Sequence, residues 1–431
     1  MKLEHLLAAA GILLFLSALV FYQFSKRAYL LSVLFLLPVM DLAITPVEWG
    51  RFKVFDVISY IICILFFKDF MLKKEKNRYS IYYILFFLLI TSAFLGSLNS
   101  QFLRNSILSF FSLFPVFIFG KALLMECSSD SEFQLEVIRI LKLSVLISIA
   151  FLTVQVIFGL GFTFYQSLNR NTLMYGDPRY PSFFHDPQKY GQFLVMLGFL
   201  FLIDFKSIDS PGWKNYVLFL LVIIALIKTG GRTALFGVFT GMVILLFKLG
   251  IRYRIAFLSL TVAASILLVF FSETFVVFDR AKELSADYIF RAALWDEALG
   301  WYSIHPILGL GIGNYGSYAM AFSNNYYIDI DKNVIFFDQP ESGYLMILTE
   351  LGLTGFITFC LLILTPIYSS IKAYLGGSKN QIIFFIIAGL SGWMVTFASV
   401  YSISDKRILI VLITLLTLLI AEREKSKKIY N

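Results

Sequence analysis

The chain of 431 residues is 59% hydrophobic, 17% aromatic and only 15% charged, with a net charge of +8. Soluble domains run nearer ~45–50% apolar and ~25% charged, so a cytosolic enzyme, a disordered scaffold and a disulfide-rich secreted domain are excluded. Apolar runs of about 20 residues account for most of the chain, which predicts an all-α polytopic integral membrane protein with about 13 transmembrane helices (12–14). The three cysteines, Cys63, Cys127 and Cys360, form no CxxC or CxxH cluster and imply neither a disulfide framework nor a thiolate metal site.

Hydropathy predicts helices near 6–24, 28–44, 54–67, 80–97, 106–125, 140–160, 190–204, 215–229, 233–249, 255–275, 343–371, 382–400 and 407–421. The first run, Leu6 to Phe24, is longer than the core of a signal peptide and lacks a cleavage site, so it reads as a retained span. Lys26 and Arg27 follow it directly and place the N-terminus outside. Alternation then assigns the basic clusters at 68–78, 121–142, 248–254 and 423–428 to the cytoplasm, with the C-terminus. The positive charge is thereby explained as membrane anchoring, and nucleic acid is not expected as a partner. The whole chain reads as a single helical domain, 1–431, carrying external loops at 161–189 and 276–342. Basic residues in those long loops are weak determinants of topology, which leaves room for an anionic ligand outside, beside the plain reading that they solubilise the loops or touch lipid headgroups.

In chain order, the first polar cluster is 178–190, Pro-Arg179-Tyr-Pro-Ser-Phe-Phe-His185-Asp186-Pro-Gln188-Lys-Tyr. Arg179 and His185 among aromatic residues suit sugar binding, and the His185-Asp186 spacing does not suit a metal. Next, Thr229-Gly230-Gly231-Arg232 makes a tight turn between two spans. A guanidinium there either anchors in headgroups or faces a phosphate, which its planar fork fits.

Within the long loop an amphipathic helix is expected from Ser285 to Tyr302, with Phe290, Leu294 and Ala298 on one face. Asp287, Arg291 and Trp295 share another face, where Asp287 could orient Arg291. His305-Pro306 ends that helix, and Gly309, Gly311, Gly313 and Gly316 follow, with Asn314 and Tyr315 between them. Gly311-x-Gly313-x-x-Gly316 matches the dinucleotide fingerprint in form but lacks the βαβ setting, so the glycines are expected to shape a loop whose amides could bind an anion. The loop closes on Asp338-Gln-Pro-Glu341-Ser342-Gly-Tyr344, where Glu341 and Ser342 both suit an N-cap and Glu341 also suits a cavity mouth. Glu350 follows at lipid depth and needs a partner or water there; with Tyr344 it could line the same cavity.

This order of features resembles the bacterial O-antigen ligase and polymerase superfamily over about residues 180–370: Gly-Gly-Arg232, the Arg291-x-x-x-Trp295-x-x-Ala298 helix, His305-Pro306, the Gly309–Gly316 stretch and the return from Gly343 to Gly355. The resemblance implies a metal-independent, inverting glycosyltransferase, without cofactor, acting on polyprenyl-diphosphate-linked glycans at the outer face of the cytoplasmic (inner) membrane. It implies diphosphate binding by Arg232 and Arg291, and a chain-length regulator protein as a partner. Glu341-Ser342 stands where ligases carry a His-Asn pair, which favours polymerase over ligase. Gln188 departs from the family's Asp/Asn-Pro-Asn pattern. Glu341, then His305, are the candidates for the group that takes the acceptor proton, while Arg179, His185, Trp295, Asn314, Tyr315 and Tyr344 are candidates for substrate binding. Transfer to lipid A core or protein, and flipping of a lipid-linked oligosaccharide, are the alternatives.

Overall fold

The computed structural model describes residues 26–44, 53–72, 80–165, 178–203, 212–246, 255, 259, 284–328, 334–375 and 382–430. The expected span at 6–24, the expected span at 255–275 apart from Ile255 and Ser259, and the basic cluster at 73–78 lie outside these residues. Among the described residues there are thirteen α-helices. They are α1 (Lys26–Phe35), α2 (Val54–Leu72), α3 (Ser80–Leu98), α4 (Leu103–Ser129) and α5 (Ser131–Phe158). After the 178–186 segment come α6 (Pro187–Gly198), α7 (Trp213–Lys228) and α8 (Arg232–Leu246). The long loop contributes α9 (Leu284–Ile304) and α10 (Tyr315–Phe322), and the chain ends with α11 (Gly343–Leu375), α12 (Ile382–Phe397) and α13 (Lys406–Tyr430). Four of them, α3, α4, α5 and α11, are long and apolar enough to cross a membrane. Outward-facing Ile84, Phe87, Leu88 and Phe94 on α3 are 39–67% exposed, as expected of side chains that meet lipid rather than water.

The loop departs from an all-α expectation in one place. Tyr326–Ile328 (β1) pairs antiparallel with Val334–Phe336 (β2). Both runs are β-branched or aromatic, and tertiary support from α10 gives so short a ladder something to rest on.

Helix ends are set by local chemistry. Asp130 caps α5 by accepting the Glu132 amide at 2.8 Å, and Asp186 caps α6 by accepting the Gln188 amide at 2.8 Å, with Pro187 at the first helical position. Small residues set how closely helices cross. Gly237 of α8 and Gly392 of α12 meet backbone to backbone, and a Cβ on either would lie 2.5–2.7 Å from the other's carbonyl oxygen.

Contacts between connections sort the bundle into two ends. At one end Arg27 donates to Glu126 at 3.0 Å and Asp130 at 2.5 Å, and Arg423 donates to Tyr82, whose hydroxyl is 3.2 Å from Ser369. At the other end Arg407 lies 3.8 Å from Asp41, Arg179 donates to the Thr229 carbonyl at 2.9 Å, and Asn105 donates to Ser317 at 2.9 Å. The second end carries the polar clusters described among these residues.

α11 is two helices joined at a break. Gly352 has φ 65°, ψ −173°, outside the helical region. The glycine-rich loop docks on the break: Leu310 and Gly311 amides donate to the Thr349 and Glu350 carbonyls, both at 3.0 Å, and the Leu353 amide donates to the Pro306 carbonyl at 2.8 Å. Gly309 (φ 74°) could not carry a side chain here, because a Cβ would lie 2.4 Å from the Glu350 carbonyl. Gly309→Ala is therefore expected to cost at least the ~1–3 kcal/mol of a forced left-handed residue, read as a lower melting temperature of the detergent-solubilised protein.

Candidate active site

The long loop and the broken helix bring together two of the expected site residues. Arg291 projects from α9, which packs against α11, and its guanidinium lies 3.8 Å from the Glu341 carboxylate. The separation is that of an ion pair rather than a hydrogen bond, and both side chains retain contact with solvent at 26% and 17% exposure. Glu341 reaches Arg291 because Ser342 takes over the capping of α11, accepting the Leu345 amide on its hydroxyl at 3.4 Å. Glu341 itself has φ 49°, a left-handed conformation unusual for a residue with a Cβ and often retained where a side chain must be aimed. The Asp287 side chain, expected to orient Arg291, lies outside the described residues. Trp295, one turn on from Arg291, packs edge-on against Tyr288 with ring centroids 6.3 Å apart.

Two residues before Glu341 a cavity of about 820 Å³ opens. Asp338 and Gln339 form part of its wall, together with His185, Asp186 and Lys189, Asp41 and Lys53, and Ser404, Asp405 and Lys406. Its remaining wall is mostly apolar and formed by α3, α4, α11 and α13, with Ser109, Ser112 and Glu350 among its polar members. The His185 ring meets Tyr165 edge-on, centroids 5.4 Å apart, at this polar end.

The 178–186 segment is held in place from three sides. Gln155 of α5 accepts the Ser182 amide at 2.8 Å and donates to its carbonyl at 3.2 Å. Arg407, 1% exposed, donates to the Phe183 carbonyl at 2.7 Å and lies 3.7 Å over the Phe184 ring. Its other face forks onto Asp405, with Nε–Oδ1 2.9 Å and NH2–Oδ2 2.6 Å. Burial pushes the Asp405 carboxyl up, but the paired Arg407 guanidinium and nearby Lys189 override it and hold the group below the usual carboxylate range.

Arg179 is also buried, at 1% exposure, and lies across the Thr229-Gly230-Gly231 turn. A Cβ at Gly230 (φ 62°) would lie 2.9 Å from the Arg179 side chain. The Gly-Gly pair is thus a cradle for Arg179 as well as a lead-in to Arg232, which begins α8 partly exposed.

Other expected residues take positions inside the scaffold. Asn314 is buried and donates to Ser100 and to the Leu310 carbonyl, clipping the glycine loop to the α3–α4 connection. Tyr315 is buried, with its ring 4.9 Å from that of Trp301. Tyr344 donates to the Met394 carbonyl at 2.9 Å and so faces α12, whereas Glu350 does line the cavity. Arg232, Arg291, His305 and Glu341 stand off the cavity wall.

The expected anion site of the glycine loop is filled from within. Glu350, 1% exposed, accepts the Tyr315 amide at 3.1 Å and is hydrogen-bonded by the Gly313 and Asn314 amides as well. A carboxylate on three successive amides forms a compact anion nest, and it resolves how an acidic residue is tolerated so deep. The glycines are required by this internal arrangement.

Reasoning from sequence passed over Lys53, Lys406 and the Asp405–Arg407 pair. The available signal was Ser404-Asp405-Lys406-Arg407, four polar residues in a row at the mouth of the last apolar run.

Residues 217–360 match the family model described as O-antigen ligase. That match agrees with the resemblance to the O-antigen polymerase and ligase superfamily and covers most of α7, all of α8, the long loop and the first half of α11. No curated protein matches the chain.

Proposed function

We propose that this membrane protein polymerises polyprenyl-diphosphate-linked oligosaccharide repeat units, in O-antigen, capsule or exopolysaccharide assembly. The observation that carries the reading is the Arg291–Glu341 pair, 3.8 Å apart, with Glu341 two residues beyond the Asp338-Gln339 stretch that walls a cavity with a polar end and a mainly apolar remainder. A cation suits a diphosphate, a carboxylate suits a hydroxyl proton, and an apolar wall suits a lipid. In this reading the acceptor hydroxyl oxygen attacks the anomeric carbon of the donor glycan from the face opposite its diphosphate. The new glycosidic bond forms as the carbon–oxygen bond to diphosphate breaks, and polyprenyl diphosphate leaves with the electron pair. Arg232 and Arg291 stabilise the charge gathering on that leaving group, without a metal ion. Glu341 accepts the hydroxyl proton, with His305 as the second candidate. Arg179, His185, Trp295, Asn314, Tyr315 and Tyr344 contribute to substrate binding directly or by shaping the walls.

The same reading places the whole chain as one domain of about 13 spans in the cytoplasmic membrane. The loops at 161–189 and 276–342 and the active site face outward, with the N-terminus outside and the C-terminus inside. Bilayer lipid surrounds the bundle, and a chain-length regulator protein is the expected partner.

Transfer of the finished glycan to lipid A core or protein is the second reading, favoured by the description of the family matched over 217–360. Purified protein in liposomes, supplied with lipid-linked repeat units, separates the two. A ladder of lengthening glycans, undiminished by chelator, is the expected result. A single transfer to added lipid A core supports ligation instead. Movement of the repeat unit across the bilayer without new glycosidic bonds makes the protein a transporter and ends both readings.

A further inference from the structure

We propose that a groove between α3, α4, α11 and α13, at the Arg27 and Arg423 end of the bundle, binds an anionic phospholipid of the adjoining leaflet. Its phosphate meets Lys121 and Arg423, and one of its acyl chains lies along the groove. The site is at the end of the bundle away from the polar clusters, so it holds whichever reaction the protein performs.

The sequence builds the groove from apolar stripes that end in a cation. On α13, Ile413, Leu416 and Ile420 fall at i, i+3 and i+7, and Arg423 follows at i+10 on the same face. From Ile413 to Arg423 is roughly 15 Å at 1.5 Å per residue, half the hydrocarbon thickness of a bilayer and so the depth of one leaflet. On α4, Phe117 and Leu124 flank Lys121, whose stem lies along the wall. Gly120 lets α13 close the floor, since a Cβ there would lie 2.5 Å from the Ile413 side chain. The groove encloses about 110 Å³, and the flanking helices turn exposed Ile81, Ile84, Leu364 and Tyr368 toward lipid. Phe117, Leu362, Ile413 and Leu416 also wall the larger cavity, so an acyl chain seated here packs against the back of that wall.

Two neighbouring tyrosines of α3 steady the cations. The Lys121 ammonium lies 5.6 Å from the centroid of the Tyr83 ring, and Arg423 donates to the Tyr82 hydroxyl at 3.0 Å, a neutral acceptor that leaves the guanidinium its charge. Among the described residues no carboxylate lines the groove. At this end Arg27 engages both Glu126 and Asp130, and Glu422, beside Arg423, is 5% exposed and off the groove wall. A single basic residue at a span end needs no more than headgroups to explain it. Here cations from two helices serve one apolar groove, the arrangement by which basic pockets between membrane helices hold anionic headgroups. A phosphate oxygen accepts charge-assisted hydrogen bonds from an ammonium and a guanidinium, and the apolar wall selects a lipid over a soluble phosphate.

The test is native mass spectrometry of the full-length protein in detergent with added phosphatidylglycerol or phosphatidylcholine. Wild type is expected to retain phosphatidylglycerol about tenfold or more over phosphatidylcholine, since two cations contribute. The Lys121→Gln/Arg423→Gln variant should lose that preference, and the Lys121→Arg/Arg423→Lys exchange, which keeps both charges, should retain it. Phosphatidylglycerol bearing a diazirine in one acyl chain locates the site, with adducts expected on the peptides containing Phe86 and Ile420. The exchange variant and the adduct positions decide the question even where the glutamine variant fails to fold. Equal retention of the two phospholipids, adducts confined to other helices, or a preference untouched by the glutamine variant would overturn the proposal. Displacement of the labelled phospholipid by an equal concentration of polyprenyl diphosphate would overturn it too, and would make the groove part of the substrate path.

Discussion

Arg291→Ala is expected to slow glycan transfer by about 10²–10³-fold, the loss seen when one preorganised donor to a developing negative charge is removed. In the proposed reaction the leaving polyprenyl diphosphate carries the charge that builds in the transition state, so a lost guanidinium would raise the barrier more than it weakens ground-state binding. Arg291 is partly exposed, on a helix whose Leu294 and Ala298 supply the buried face, so its removal leaves the packing of α9 intact. Arg291→Lys should recover only part of the rate, because an ammonium cannot fork onto two oxygens. Initial rates of ladder growth from purified protein at saturating repeat unit decide the matter. Arg232→Ala belongs in the same experiment, and wild-type rates from both variants would remove the arginines from the mechanism. Glu341→Gln, which keeps shape and loses basicity, separates proton acceptance from positioning: a base gives a rate that stays low at all pH values.

The second large effect concerns stability. Asp405→Ala should lower the unfolding free energy by about 3–5 kcal/mol, because it leaves the Arg407 charge buried without its forked partner. Arg407 is 1% exposed and also secures the Phe183 carbonyl, so the variant is expected to loosen the 178–186 segment that carries His185. Replacing both members by apolar residues of similar size should cost much less, since the penalty comes from the orphaned charge. Thermal unfolding in detergent reads both variants. The Asp405 carboxyl titrates below its ordinary range in the folded protein. The pair's contribution is therefore complete above the unfolded value of about 3.9 and is lost only as pH falls from there through the folded value. Unfolding that tracks the wild type above neutral pH and in acid alike would show that the pair contributes nothing.

Much of the site was legible because some residues are conspicuous in an apolar chain. Arg291 and Glu341 stand out as charges in a long loop and at a helix mouth, and the fold places them 3.8 Å apart although 49 positions separate them. Helix α9 was visible from its i, i+4 spacing, and the observed Leu284–Ile304 encloses the expected Ser285–Tyr302. Glu350 was visible as a charge that needed a partner, whereas the partner was not, since backbone amides carry no sequence signal. The glycines of 309–316 looked like an open anion site for the same reason: spacing reveals that a loop is tight, and only the fold shows that Glu350 already occupies its amides. Lys53, Lys189 and Lys406 are ordinary lysines beside apolar runs, and nothing local distinguishes them from charges that anchor a span.

Composition and hydropathy by themselves determined that this is a helical membrane protein, because hydrocarbon leaves a chain no other way to satisfy its backbone apart from a closed barrel. Tertiary structure decided which of the expected residues face a shared cavity and which support its walls. Asn314, Tyr315, Tyr344 and Arg179 went to the scaffold, and Asp405, Lys406 and Lys189 came to the cavity. The physical reason is that a buried polar group must find a partner, and in a bundle that partner is usually on another helix, at a distance along the chain that no local pattern records.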